Sequence, residues 1–354
     1  MRKVFITGIG AISAQKTFNS NEFLEEIIDY NDNVIPAHDP VYKDFIPPAA
    51  ARRMAKGIKM GVVASKLALT EAGLETVDAI ITGTGMGCVR DSEKFVSAII
   101  DNNEEFLTPT SFIQSTHNTV AGQIALGLEC KGYNFTYVHS SVSFESALLD
   151  ASLQLQNDEA NTILVGGVDE LGDHTVKIHR LINHIKSEPV SVNSVLSSNT
   201  EGAVFSEGAN FFVLSNEVSD QCIAEVLEIE TFNTIEKEDL TTVANRFLGD
   251  QNLTAEDVDL VIMGNNGDRN FDDYYTILRD GLFAEKPQAY YKHLSGEFNT
   301  VSSFGVWMGS KILKHGSIPG IARLNDIEPS KMERILLYNQ YRGENHSFIL
   351  LQKC

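Results

Sequence analysis

Apolar positions along the chain keep two alternating rhythms. Near-continuous apolar runs at 3–7 (KVFIT), 78–82 (DAIIT), 134–139 (NFTYVH), 162–170 (TILVGGVDE) and 208–216 (GANFFVLSN) read as strands. Short runs rich in β-branched and aromatic residues suit a sheet covered on both faces. Between them, 54–73, 118–128 and 143–156 place apolar or small residues at helical spacing, the first ending at Gly73, a plausible C-cap. Gly8 and Gly10 after the first strand, and GTGMG at 83–87, read as turns.

After residue 220 the alternation starts again. Residues 224–233 read as a strand, 240–253 as a helix, 259–268 as a strand ending in a polar turn, and 300–316 as a helix with small residues near its start. The segments 334–340 and 346–352 read as a closing antiparallel pair. Strands alternating with helices predict an α/β fold with mixed sheets. The matching order of elements predicts two related halves, 1–220 and 221–354.

Composition narrows the function classes. The 354-residue chain carries 28 Lys and Arg against 48 Asp and Glu, a formal net charge of −20. Nucleic acid is excluded as a partner, because phosphate binding needs clustered cations. The early cluster Arg52, Arg53, Lys56 and Lys59 is the exception, and would suit an acidic protein partner. No apolar run approaches the ~18 residues of a membrane span, and no signal-peptide core follows the N-terminal basic residues. Cys88, Cys130, Cys222 and Cys354 have no metal-like spacing and read as separate, reduced thiols of a cytosolic protein. His174, His179 and His184 are five apart, whereas a helical metal face wants three or four. No metal or cofactor is expected. GTGMG lacks the Lys-Ser/Thr of a P-loop and the full dinucleotide pattern.

Several ordered stretches resemble the β-ketoacyl synthases. RKVFITGIGAIS is similar to their opening strand, and FLTPTSFIQSTHNTVAGQIALGLECKGYNFTYV to the approach to their active-site turn, with its Asn-x-x-Ala-Gly element at Asn118, Ala121 and Gly122. ILVGGVDE resembles their next strand, and EGAVFSEGANFFVL their Gly-Glu-Gly-Ala strand with Ser206 in place of the first glycine. AEDVDLVIMGNNGD, YYKHLSGEFNTVSSFGVW and YNQYRGENHSFILL follow in family order, so the likeness spans nearly the whole chain. It implies a thiolase-like fold: two pseudo-symmetric halves, each with a five-stranded mixed sheet, layered with helices. It also implies dimers that pair through the strand before the active-site turn, here NFTYV.

A working ketosynthase of this family uses one cysteine and two histidines. The cysteine, at a helix N-terminus, carries the acyl thioester. The histidines donate hydrogen bonds to the enolate left by decarboxylation. By resemblance the cysteine position falls in VHSS, at His139 or, with a two-residue shift, at Ser141. The first histidine position holds Asn266 or Asn265, and the second holds Glu297, although Lys292 and Gly296 keep their places. Asn266 keeps a hydrogen-bond donor. An ionised Glu297 would repel an enolate. An acyl-imidazole on His139 hydrolyses readily, and Ser141 needs a base, for which His139 is the nearest candidate. The simpler expectation is that His139 fills the turn of a disused site and that Glu297 pairs with Lys292 or with a basic residue across an interface. The resemblance further places Phe112, His117, Asn118 and Tyr341 along the substrate wall, where plain packing is the alternative for the first three. The family's glycine-rich gate reads NQYRGEN here, bulkier and charged.

Two functions follow as expectations. One is a non-catalytic subunit akin to chain-length factors, pairing with an active ketosynthase and serving an acyl carrier protein; the VHSS turn with KxxxGE most resembles subunits of aryl-polyene and flexirubin pigment synthesis. The other is a divergent condensing or acyl-transfer enzyme using Ser141 or His139, as a homodimer. A homodimeric acyl-binding protein is a remoter third.

Overall fold

A computed structural model describes residues 2–18 and 23–354. Ten strands form one continuous sheet: β1 (Phe5–Ile12), β2 (Ala79–Gly83), β3 (Tyr133–Tyr137), β4 (Thr162–Asp169), β5 (Gly208–Ser215), β6 (Ala224–Phe232), β7 (Leu260–Met263), β8 (Gln288–Tyr290), β9 (Arg334–Tyr341) and β10 (Glu344–Lys353). Their order is β3-β2-β4-β5-β1-β6-β10-β9-β7-β8. Moving outward from the β1–β6 junction, each strand of the first half has its counterpart in the second. The parallel pairs β2–β3 and β2–β4 match β7–β8 and β7–β9, and the antiparallel pairs β4–β5 and β1–β5 match β9–β10 and β6–β10. The two expected five-stranded sheets are present, joined by a short pairing of Phe5 with Glu225 and Ile6 with Ala224.

The helices are α1 (Pro48–Ala51), α2 (Lys56–Ala72), α3 (Val89–Asp101), α4 (Pro109–Ser115), α5 (Thr119–Leu128), α6 (Ser143–Gln156), α7 (Asp173–Leu181), α8 (Leu240–Asp250), α9 (Asp273–Ile277), α10 (Lys292–Ser295) and α11 (Ser302–His315). Strand periodicity sets the layers. Ile262, Leu337 and Ile349 share a core with Phe144 and Leu148 of α6 and Phe304 and Trp307 of α11. The alternate residues Val261, Leu336 and Leu350 face Phe247 of α8 and Tyr275 of α9. On the first half, Leu164 and Val213 meet Ile58, Met60 and Ala64 of α2. Helices α6 and α11 therefore lie in the middle layer, covered from both sides.

Two sequence expectations need correction. The turn expected at Gly8 and Gly10 does not form; β1 continues through both, with a register shift between Ile6 and Gly8 in its pairing with β5. A Cβ at Gly8 would stand 2.1 Å from the Ala68 carbonyl oxygen, and one at Gly10 2.1 Å from that of Ala64. The glycines thus let α2 lie directly on the strand rather than bend it. The four cysteines are not all separate thiols either. Cys222, before β6, and Cys354, after β10, form a disulfide with Cα atoms 6.0 Å apart. Antiparallel pairing of β10 with β6 brings Lys353 opposite Ala224 and so carries both sulfurs together.

Candidate functional site

The edge strand β3 delivers the chain to a sharp elbow. Ser140 has φ +50°, a left-handed conformation that costs a serine energy and marks a turn held by its surroundings. The hold is visible: Ser143 Oγ donates to the Ser140 carbonyl at 2.7 Å and accepts from the His139 N–H at 2.7 Å. A 3₁₀ turn over Ser140–Val142 then leads into α6.

At this elbow the two candidate residues diverge. His139 is exposed on this chain, with Nδ1 3.4 Å from Ser146 Oγ. It does not fill the interior of the turn as the sequence suggested. Ser141 points inward, 2 % exposed, and accepts a hydrogen bond from Asn345 Nδ2 at 3.0 Å. Ser141 has an amide as its neighbour, not an imidazole, so no Ser–His dyad forms.

Three distant segments meet beside the elbow. Glu297 is buried and pairs with the equally buried Lys292 through Oε2 and Nζ at 2.9 Å. The same Oε2 accepts from Asn266 Nδ2 at 2.7 Å. Lys292 Nζ also donates to the Gln340 carbonyl at 3.3 Å. Asn266, Lys292 and Glu297, adjacent by resemblance alone in the sequence, thus form one hydrogen-bonded cluster. Asn265 is buried next to them with an unpartnered Oδ1.

The turn carrying Asn266 is fixed from below. Asp272 accepts the backbone N–H groups of Asn266 at 3.2 Å and Gly267 at 2.9 Å. The buried Lys186 donates to the Gly267 carbonyl at 2.7 Å. Burial pushes the Asp272 carboxyl up to about 6, against the lowering effect of those two N–H groups. A carboxyl raised on folding holds its proton more tightly in the folded chain. Its contribution is therefore most favourable below the unfolded value and is lost as pH rises through about 6. Between pH ~4 and ~7 the wild type is expected to lose about 2 kcal/mol of stability relative to Asp272→Asn, read by urea unfolding. Parallel pH profiles for the two proteins would remove Asp272 as the cause.

The expected gate is a tight hairpin. Arg342 and Gly343, with φ +53° and +80°, make the two-residue turn between β9 and β10, a geometry matching the twist of paired strands. Arg342 pairs with Asp268 at 3.0 Å and lies over the Phe271 ring at 4.7 Å. Tyr341, half-buried at its base, lines a cavity of about 60 Å³ with Glu297, Phe298, Phe205 and Met86. Burial raises its hydroxyl above the usual phenol range. Such a cavity is too small for an acyl chain. Phe112, His117 and Asn118 do not line this cavity; they are exposed around α4 and the start of α5, where the Phe112 ring packs on Phe95 at 5.2 Å.

Sequence reading missed three acids here, two of them buried and Asp272 half-buried. Asp169 accepts from Gly85 N at 2.8 Å and from Thr300 N and Oγ1 at 2.9 and 2.8 Å, tying the GTGMG turn to the start of α11. Glu145, on the buried side of α6, accepts from Ser347 Oγ at 2.8 Å, and burial raises its carboxyl. Asp272 is the third. A carboxylate in an apolar or small-residue stripe was the available signal for Glu145, and one closing the apolar run 162–170 was the signal for Asp169; Asp272 looks like an ordinary loop acid in sequence.

Comparisons with known proteins bear on the fold that carries this site. The model of the β-ketoacyl synthase N-terminal domain matches residues 42–219, half of the chain. A search of curated protein sequences finds no match. Among solved structures, a β-ketoacyl synthase from Burkholderia phymatum superimposes with TM-score 0.78 at 17 % identity, covering 100 % of both chains. The ishigamide ketosynthase/chain length factor gives TM-score 0.78 at 17 % identity, covering 100 % of this chain and 99 % of that one. A ketosynthase in complex with its chain length factor from Xenorhabdus doucetiae gives 0.76 at 13 % identity, covering 100 % and 98 %. These likenesses establish the thiolase-like fold. No helix among the described residues is long and apolar enough to cross a membrane.

Proposed function

Because the chain belongs to the β-ketoacyl synthase family, we propose that it is a non-catalytic ketosynthase-like subunit that pairs with an active ketosynthase and helps set acyl chain length. One observation carries the reading. The positions that the resemblance assigns to catalysis hold no cysteine, and Glu297 is closed into a pair with Lys292 and Asn266. A carboxylate in that place opposes the charge that decarboxylation develops, where a synthase needs donors.

The partner surface follows from β3. It ends the sheet, and Tyr133 and Phe135 are each 45 % exposed. An edge strand with unpaired backbone groups and exposed aromatic side chains is a template for another strand. A ketosynthase partner docked there would also cover the neighbouring Val138 and His139. The small cavity beside Tyr341 supports chain growth in the partner rather than here. Exposed Arg52 and Arg53, before α2, offer the acidic carrier protein a local basic patch on an otherwise acidic chain. Phe112, His117 and Asn118, near the same side, would meet the chain or the partner. We place the subunit in a cytoplasmic pathway of aryl-polyene or flexirubin type, divide its halves at residues 220 and 221, and assign it no cofactor.

The test is malonyl-carrier decarboxylation by the purified chain alone and co-purified with a ketosynthase encoded beside it. The expected result is activity in the pair only, abolished by replacing the partner's cysteine and unchanged by His139→Ala with Ser141→Ala. Turnover by the chain alone, lost in either single variant, would overturn this reading in favour of a divergent enzyme or acyltransferase.

A further inference from the structure

The Cys222–Cys354 pair is unrelated to the candidate site in sequence, yet the fold connects the two. Strand β10 lies between β6 and β9 and has two working ends. Its first residues hold the elbow: Asn345 Nδ2 donates to Ser141 Oγ at 3.0 Å, and Ser347 Oγ donates to Glu145 at 2.8 Å. Directly after its last residue comes Cys354, bonded to Cys222 in the connection from β5 to β6. The loop so closed spans 132 residues and contains every strand of the second half.

Both sulfurs are within reach of small thiols. Cys354 is exposed and Cys222 is half-buried, whereas Cys88, a free thiol, is buried. We propose that Cys222 and Cys354 form a reversible redox staple that pins the terminal strand and, through it, the hairpin that closes the elbow. The oxidant is a small disulfide such as glutathione disulfide. One thiolate of the pair attacks it, releasing one small thiol and leaving a mixed disulfide. The second thiolate displaces the other small thiol, so the chain loses two electrons and two protons as the oxidant gains them. Reduction runs the same steps backward. Tying off so long a loop removes freedom from the unfolded chain, and the effect grows with loop length.

The structure also places the staple away from the edge strand β3, so it acts within the chain whether or not a partner is bound. In a reducing compartment the pair would be open, and oxidation would tighten the closed elbow.

The experiment equilibrates the full chain in glutathione buffers of graded ratio, then counts free thiols and maps peptides by mass spectrometry. The expected product on the oxidised side is a single cross-link, Cys222 to Cys354, with two thiols left. Full reduction is expected to lower Tm by about 5 °C or more. It is also expected to speed amide exchange at Asn345–Ser347. Cys222→Ser and Cys354→Ser should each behave as the reduced wild type and ignore dithiothreitol, while Cys130→Ser stays responsive. Four free thiols across the whole range, or an unchanged Tm, would overturn the staple. A Tm shift with unchanged exchange at Asn345–Ser347 would overturn its link to the elbow. Because the wild type alone supplies the thiol count, an unfolded serine variant leaves the result decidable.

Discussion

Replacing Lys292 with methionine is expected to destabilise the folded chain by about 3–5 kcal/mol, because it leaves Glu297 as a buried charge without its cation. Both side chains are almost fully enclosed, at 0 % and 3 % exposure. Water cannot take over the role of the ammonium group. Among the described residues, the donor that remains to that oxygen is Asn266, a neutral amide 2.7 Å away. The pair itself need not add net stability, since removing two charges from water offsets much of their attraction. The double variant Lys292→Met with Glu297→Leu should therefore recover most of the loss. Urea unfolding of the wild type, both single variants and the double variant completes the cycle. A loss below about 1 kcal/mol in Lys292→Met, or no recovery in the double variant, would show that the cluster is not the closed ion pair described here. A recovered double variant that still supports its partner's activity would further show that neither side chain takes part in chemistry.

The second large effect concerns assembly. Phe135→Glu is expected to weaken pairing with the proposed partner ketosynthase by about 30- to 1,000-fold, the range for losing a central aromatic anchor. Phe135 sits at the middle of β3 between Tyr133, stacked at 6.0 Å, and Tyr137, at 4.9 Å. A carboxylate there would be buried on docking with no cation in the strand to meet it. The chain's own fold should tolerate the change, because the ring is 45 % exposed without a partner. Light scattering of the co-purified pair reads the loss. Val218→Glu, exposed in the connection between β5 and β6, is the control and should leave pairing intact. If Phe135→Glu pairs as tightly as the wild type, the edge strand is not the docking surface.

Local pattern made much of the molecule legible in advance. Helix α6 runs over Ser143–Gln156, where small and apolar residues recur at helical spacing, and α2 ends at Gly73 with φ +69° as a C-cap should. The closing antiparallel pair is β9 and β10. These succeed because a helix stripe or a buried strand is a property of neighbouring residues. The absence of a cysteine at the VHSS turn needs no coordinates at all.

Where the sequence failed, the deciding contacts were long-range or steric. Gly8 and Gly10 resemble turn residues in a string of letters, but their missing side chains serve the approach of α2. Nothing local distinguishes His139 from Ser141 as the inward residue. The left-handed Ser140 between them sends one to the surface and the other to Asn345, which lies 204 positions further along the chain from Ser141. Cys222 and Cys354 likewise look solitary until β10 is laid against β6. The sequence by itself determined the elements, their repeated order and the absence of a cysteine from the VHSS turn, because these depend on residue type and short-range spacing. Only the tertiary structure decided that Glu297 is locked to Lys292 and Asn266 and that two thiols meet, because each depends on which distant segments the sheet places side by side.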